Sequence, residues 1–230
     1  MIDVAANYQK IRARMNETAA KCGRTPNEIR ILGAAKAQSV EAIRAALDAG
    51  VTLIGENYVQ EAADKKKQIA DSIEWHMIGH LQRNKAKRAL EIFDVIESLD
   101  GFKLAQALDQ EGARRGKTIR VFVEVNLSGE ENKSGVAKRE TPALFEELAK
   151  LSHLRVEGLM TVPPFRENLE EVRPYFRQLR ELRDQLNDLL LPNVQLAELS
   201  MGMSNDYPVA IEEGATIVRI GTALFGPRGK

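Results

Sequence analysis

The sequence predicts an α/β protein, a single-domain (β/α)8 TIM barrel with an extra N-terminal helix. Three observations point there. Eight short apolar segments alternate with eight helical patterns, the signature of a parallel sheet with helical crossovers. Eight units with nothing left over favour closure into a barrel over an open doubly wound sheet. The first strand holds the lone Gly33 and no glycine-rich dinucleotide fingerprint follows it, and no Pro/Gly/Ser-rich linker divides the chain, so one domain over residues 1–230 is expected.

The elements follow in order. Residues 2–21 read as an amphipathic helix with Ile2, Ala5, Tyr8, Ile11, Met15 and Ala19 near one face; Gly23 stops it and Pro26 follows. The first strand spans 29–36, from Ile29 to Lys36; Ser39 is a good N-cap for a helix over 40–49, and Gly50 its C-cap. Strand two is 51–54, with a turn over Gly55-Glu56-Asn57 and a helix from Tyr58 to about Ala70. Strand three (75–78) leads to a helix over 83–92, and strand four (95–98) to one over 101–115. Residues 119–125 carry the longest strand signal, followed by a polar loop and a helix over 141–151. Strand six (156–160) precedes a long charged helix over 169–190. Strand seven (196–200) precedes a short helix at about 206–213 that ends at Gly214; strand eight is 217–220, and 222–225 forms a final turn.

Composition narrows the function. Lys+Arg and Asp+Glu number 33 each, so the net charge is zero and nothing marks a nucleic-acid or membrane-surface protein. The run Lys65-Lys66-Lys67 and the stretch 83–88 fall in helical patterns and read as solvated helix faces. A single cysteine, Cys22, excludes an intrachain disulfide and a cysteine-cluster metal site; His76, His80 and His153 lack metal-ligand spacing, so no metal is expected. The N-terminus carries Asp3 and Glu17 without an unbroken apolar run, so it is no signal peptide, and no stretch approaches the ~20 apolar residues of a membrane span. A cytoplasmic monomer is expected.

In such a barrel, function gathers at the C-terminal ends of the strands. The candidates there are Lys36, Asn57, His76, Met160, Ser200 and Gly221-Thr222, with Arg219 one step inside the last strand. A lysine at the end of a buried strand is costly without a task or an outlet to water. It can snorkel to solvent, hold an anion as a point charge, or, with a lowered pKa, attack a carbonyl. After strand seven comes Ser200-Met201-Gly202-Met203-Ser204-Asn205-Asp206, and after strand eight Gly221-Thr222 opens a short helical turn. Loops at these two places form a recurrent phosphate site in barrels. Gly202 and Gly221 let backbone N–H groups approach an anion, and Ser200 and Thr222 offer hydroxyls. Two ordinary capped turns are the alternative. Arg219, flanked by apolar residues, needs a partner if it points inward: Glu198 or Glu124, or a ligand's ring nitrogen or oxyanion. An amine, a phosphate cradle and an arginine between them suit a phosphorylated aldehyde, of which pyridoxal 5′-phosphate is the common biological example.

Seven segments carry a resemblance: Gly55-Glu56-Asn57-Tyr58-Val59-Gln60-Glu61, Trp75-His76-Met77-Ile78-Gly79, Leu81-Gln82-Arg83-Asn84-Lys85, Asn132-Lys133-Ser134-Gly135, Gly158-Leu159-Met160, Leu199-Ser200-Met201-Gly202-Met203-Ser204, and Arg219-Ile220-Gly221-Thr222-Ala223-Leu224-Phe225-Gly226. Together they make the sequence similar to the pyridoxal phosphate homeostasis proteins, which resemble the N-terminal barrel of alanine racemase without its second domain. The resemblance implies a pyridoxal-phosphate-binding protein of vitamin B6 homeostasis. It implies that Lys36 forms the aldimine, that Arg219 lies near the pyridine nitrogen, that Ser200, Gly221 and Thr222 surround the phosphate, and that Asn57 lines the ring face. The chain departs from the pattern at Ala35, Ala37 and Gln38, where the family has Ser before the lysine and a Thr-Lys-like pair after it; His80 stands in place of proline and Arg83 in place of serine. Expected partners are the cofactor and pyridoxal-phosphate-dependent apoenzymes. The alternative is a racemase-like enzyme. Racemisation needs a base on each face of the substrate, and the racemase pattern takes the second, a tyrosine, from an additional domain. This chain ends after the eighth unit, and Tyr8, Tyr58, Tyr175 and Tyr207 do not replace that tyrosine. Binding without robust turnover is therefore expected, and no catalytic residue is assigned.

Overall fold

Asp3 accepts the Ala6 amide at 2.9 Å and caps α1 (Val4–Lys21), which buries Val4, Ile11, Met15 and Ala19. The computed structural model describes residues 2–69, 73–130 and 133–227. The chain then alternates: β1 (Arg30–Ala34), α2 (Val40–Asp48), β2 (Leu53–Glu56), α3 (Val59–Lys66), β3 (Glu74–Met77), α4 (Ala86–Ala89), β4 (Val95–Leu99), α5 (Phe102–Arg115) and β5 (Ile119–Asn126). It continues through β6 (Val136–Ala137), α6 (Thr141–Leu148), β7 (Leu154–Met160), α7 (Arg173–Asn187), β8 (Val194–Met203), α8 (Tyr207–Glu212), β9 (Ile217–Ile220) and α9 (Thr222–Phe225). The strands are parallel and run β1-β2-β3-β4-β5-β7-β8-β9, with β9 pairing back onto β1. That closed ring of eight is the expected (β/α)8 barrel. The two-residue β6 pairs with β5 outside the ring and carried no strand signal of its own. Helix α1 packs over α2, α8 and α9.

Period-two alternation divides the strand residues between two cores. Ile31, Ile54, Trp75, Ile96, Val121 and Val218 face the helices and belong to the large outer core. Their neighbours Leu32, Leu53, Val95, Phe122, Met160 and Ile217 form a separate cluster that fills the bore. Met160, a strand-end candidate, is thus a core residue. Gly55 belongs to the bore face, where an added Cβ would stand 2.3 Å from Leu32 Cδ2.

Boundaries differ from expectation in places that matter. β1 ends at Ala34, so Lys36 stands two residues beyond it in a turn. The 169–190 helix divides into a 3-10 turn, Leu169–Glu171, and α7, because Pro174 occupies the first turn of α7 and lacks an N–H. The 83–92 helix is a 3-10 turn, Arg83–Lys85, continued by the single turn of α4. β8 runs to Met203, three residues past the expected end at Ser200. Ala70 and Asn132 lie outside the described residues. No helix among the described residues is long and apolar enough to cross a membrane.

Candidate functional site

The C-terminal ends of β1, β2, β8 and β9 surround a cleft of about 370 Å³. Lys36, Asn57, Arg219, Gly221 and Thr222, expected at one site from the sequence, all line it; Ser200 does not.

Strand register explains both outcomes. Leu32 is level with Arg219, Gly33 with Ile220, and Ala34 with Gly55. Lys36, two residues above Ala34, therefore rises into the mouth beside Asn57. Ala37 adopts φ 59°, the left-handed region, which costs a residue with a Cβ about 1–2 kcal/mol. Flanking contacts hold this turn: the Ala37 N–H donates to Glu61 Oε1 at 2.6 Å, and the Ala35 carbonyl accepts from Lys65 Nζ at 2.7 Å. Lys65 also meets Glu56 at 2.6 Å and Glu61 at 2.7 Å. The expectation of a solvated helix face fails for Lys65. Glu56 is fully buried at the end of β2, and a buried carboxylate draws the nearest cation inward. Burial still pushes the Glu56 pKa up, against the pull of Lys65. The spacing Glu61–Lys65, one helical turn, was the available signal. Lys36 itself is half-buried and forms no ion pair among the described residues; its Nζ stands 5.0 Å from the centroid of the Tyr58 ring.

Arg219 is 4% exposed. One of its NH groups donates to the Ser200 carbonyl at 2.6 Å and to Ser200 Oγ at 2.8 Å; the other donates to the Thr161 carbonyl at 2.7 Å. Neither Glu198 nor Glu124 pairs with it. Glu198 instead accepts Arg30 at 2.6 Å, near the opposite end of the barrel. Ser200 Oγ in turn donates to Glu97 Oε2 at 2.5 Å, and Glu97 Oε1 meets His76 Nδ1 at 2.5 Å. His76 Nε2 completes the chain on Glu74 at 2.8 Å. Burial opposes charge on His76, yet Glu74 and Glu97 raise its pKa to about 9. Burial likewise opposes charge on Glu97, but His76 and Arg219 hold it below its ordinary value. His76 and Ser200, read as strand-end candidates, are thus internal members of a charged column that fixes Arg219 from below.

The expected phosphate role of Ser200 meets the same obstacle. It is fully buried and level with Ile217, while Met203 is level with Arg219 across a register shift. Ser204 is the hydroxyl at the mouth. Its Oγ accepts the Ala223 N–H at 3.1 Å, tying the loop after β8 to the start of α9. Asp206 shapes that loop by accepting the Met203 N–H at 2.6 Å. Gly202 takes φ 89°, and a Cβ there would meet Ala210 Cβ at 2.5 Å, so its glycine serves the turn. Gly221 differs: a Cβ would meet no protein atom nearer than 3.6 Å, so the space it leaves belongs to the cleft. Thr222 follows as the first residue of α9, where backbone N–H groups lack helical partners. The cleft therefore combines an amine, a fixed guanidinium and exposed backbone donors with hydroxyls, a donor set suited to an anionic, carbonyl-bearing ligand.

A sequence-family model described as "Alanine racemase, N-terminal domain" matches residues 4–229. The pyridoxal phosphate homeostasis protein of Aquifex aeolicus is 46% identical over 228 residues, covering 99% of each chain. The solved structure of PipY from Synechococcus elongatus with pyridoxal phosphate bound superposes with a TM-score of 0.82 at 35% identity, covering 92% of this chain and 100% of that one. Alanine racemase of Clostridium difficile, at 16% identity and a TM-score of 0.76, shares the fold over 95% of this chain and 56% of its own. This chain belongs to the family of pyridoxal phosphate homeostasis proteins, built on the alanine racemase N-terminal barrel.

Proposed function

We propose that this chain binds pyridoxal 5′-phosphate in the mouth of its barrel and serves vitamin B6 homeostasis by holding the cofactor and handing it on. One observation carries the reading: Lys36, Arg219 and the Gly221-Thr222 helix start open into a single cleft. When bound, the cofactor supplies an aldehyde that links reversibly to a primary amine. Lys36 is that amine, held by the Lys65 and Glu61 contacts on its two neighbours and, among the described residues, without a carboxylate that would lock its charge. The phosphate lies on the Gly221 and Thr222 backbone, with the Thr222 and Ser204 hydroxyls beside it in place of Ser200. Asn57 lines the ring face. Arg219 faces the pyridine nitrogen. A guanidinium is always charged and only donates, so it favours an unprotonated nitrogen and a poor electron sink. This supports holding over turnover, and thus a binding protein over the racemase-like alternative. The relatives support the same reading through the name of the Aquifex aeolicus protein and the ligand of PipY. Tyr58 (55% exposed) and Phe165 (75% exposed), in loops at the same end, offer an apolar rim to a receiving apoenzyme. A single-domain cytoplasmic monomer completes the proposal.

Borohydride reduction followed by peptide mass analysis tests it. A pyridoxyl mass on the peptide containing Lys36 is the expected result, together with a yellow purified protein. Covalent fixation that persists in Lys36→Ala overturns the assignment.

A further inference from the structure

Beside the Lys36 cleft, the barrel mouth continues into a second lobe of about 240 Å³. The two share Asn57, Ile78 and Val162 as a common wall. Glu124 lines the second lobe from the inward face of β5, in phase with Phe122 of the bore cluster. Glu124 is 8% exposed, and no hydrogen bond or ion pair reaches its carboxylate among the described residues. The neighbouring polar groups are engaged elsewhere. His80 Nδ1 meets Asp100 at 2.9 Å, Lys133 pairs with Glu130 at 3.1 Å, and the Arg219 guanidinium donates to Ser200 and Thr161. A carboxylate buried this far without a donor is costly, and the cost falls when a cation arrives. Burial pushes Glu124 up to about 7, against the pull of Arg219.

We propose that this lobe binds the primary ammonium group of a small amine or amino acid, with the Glu124 carboxylate as its acceptor. The alternatives fit less well. A hard metal ion takes several oxygen ligands, and among the described residues no three His, Cys, Asp or Glu are grouped to hold one. An anion would meet the carboxylate head-on. An ammonium finds one strong acceptor beside the apolar walls of Ile78 and Val162. Lys133, on the rim, can turn to the carboxylate of an amino acid, because its partner Glu130 is solvent-exposed and such a surface pair exchanges readily. The ligand would then lie across the shared wall from Lys36, bringing a second amine to the mouth. The inference goes beyond the cofactor reading and does not depend on what Lys36 holds.

The test is titration of the full chain carrying Lys36→Ala with ethylamine, L-alanine and propionate at about pH 8, followed by NMR chemical shifts and calorimetry. Ethylamine and alanine should saturate a site whose shifts centre on Asn57, Ile78 and Val162, and propionate should not. Tighter binding of alanine assigns the ligand to the amino-acid class; equal binding assigns it to simple amines. Adding Glu124→Gln should weaken both by at least tenfold. Ser134→Phe, which fills the lobe from its exposed rim, should do the same with Glu124 intact, so that a folding defect in the first variant does not decide the matter. Affinity should rise as Glu124 ionises through about pH 7, in the field of Glu97 and Asp100, His80, Lys133 and Arg219, and this rise should vanish in Glu124→Gln. Equal affinity with and without the Glu124 carboxylate, or saturation by propionate, overturns the proposal. So does binding that appears only in Lys133→Met, since the lobe would then be closed by the protein's own ammonium.

Discussion

The two ends of the barrel treat charge in opposite ways. At the N-terminal end charged side chains pair with one another: Arg30 meets Glu198 at 2.6 Å, and Arg120 meets Glu74 at 3.2 Å and Glu157 at 2.7 Å, with the more exposed Arg155 also on Glu157. At the C-terminal end Lys36 and Glu124 have no ion pair among the described residues, and Arg219 donates only to a hydroxyl and two carbonyls. The first arrangement closes its electrostatics within the protein. The second leaves it open, which is where a ligand gains most from binding. Between them the His76–Glu97–Ser200 column carries the closed pattern up to Arg219 and lets a buried guanidinium present itself to the mouth without a carboxylate of its own.

This contrast can be broken from its middle. Glu97→Ala removes the anion between His76 and Ser200 and leaves a buried imidazolium and guanidinium short of charge. The expected loss is about 3–5 kcal/mol, the usual cost of removing one partner from a buried ion pair. Urea unfolding measures it, and a loss under about 1 kcal/mol would mean the column is not charged as described.

Proton linkage sharpens the contrast next. His76 has a folded pKa of about 9, above its unfolded value of about 6.5, so its stabilisation is complete below the unfolded value and fades as pH climbs through 9. Glu124, raised to about 7, acts with the same sign at lower pH: the stability it favours is lost as pH rises from its unfolded value through 7. The His76 hydrogen bond holds Glu74 down at about 2, and this lowered carboxylate works oppositely, adding stability as pH rises toward its ordinary value. Stability should therefore peak near about pH 5 and decline toward pH 9, each pH unit of displacement being worth about 1.4 kcal/mol. Urea midpoints over that range should show the decline in two stages, and Glu124→Gln should shrink the lower one, to which the raised Glu56 and Asp206 also contribute, while leaving the upper one in place.

The smallest of these effects belongs to the open end. Thr222→Ala removes one hydroxyl from the proposed phosphate position and should weaken pyridoxal phosphate binding about tenfold, or roughly 1.4 kcal/mol, with little change in stability. Unchanged affinity in a spectroscopic titration would move the phosphate away from α9.

Much of this molecule is legible without coordinates. Alternating apolar and helical segments determine the eight strands, the ring order and the outer core, because local periodicity and the chirality of parallel crossovers leave few other closures. Lys36, Asn57, Arg219 and Gly221-Thr222 were readable as neighbours, since every strand end of a barrel delivers its residues to one rim. Depth was not readable. Periodicity tells which face a residue takes but not how high it stands, and height depends on registers set when the ring closes. That is why Ser200, three residues below the true end of β8, sits in the bore while Ser204 takes its place at the mouth. It is also why Arg219 bonds Ser200 and Thr161 rather than either glutamate the sequence offered. Lys65 looked like one of three solvated lysines until Glu56, buried at the end of the preceding strand, drew it in. The sequence by itself determined the architecture and which chemical groups reach the rim. Tertiary structure decided which charges are cancelled and which are left for a ligand, because pairing depends on distances between strands far apart in the chain.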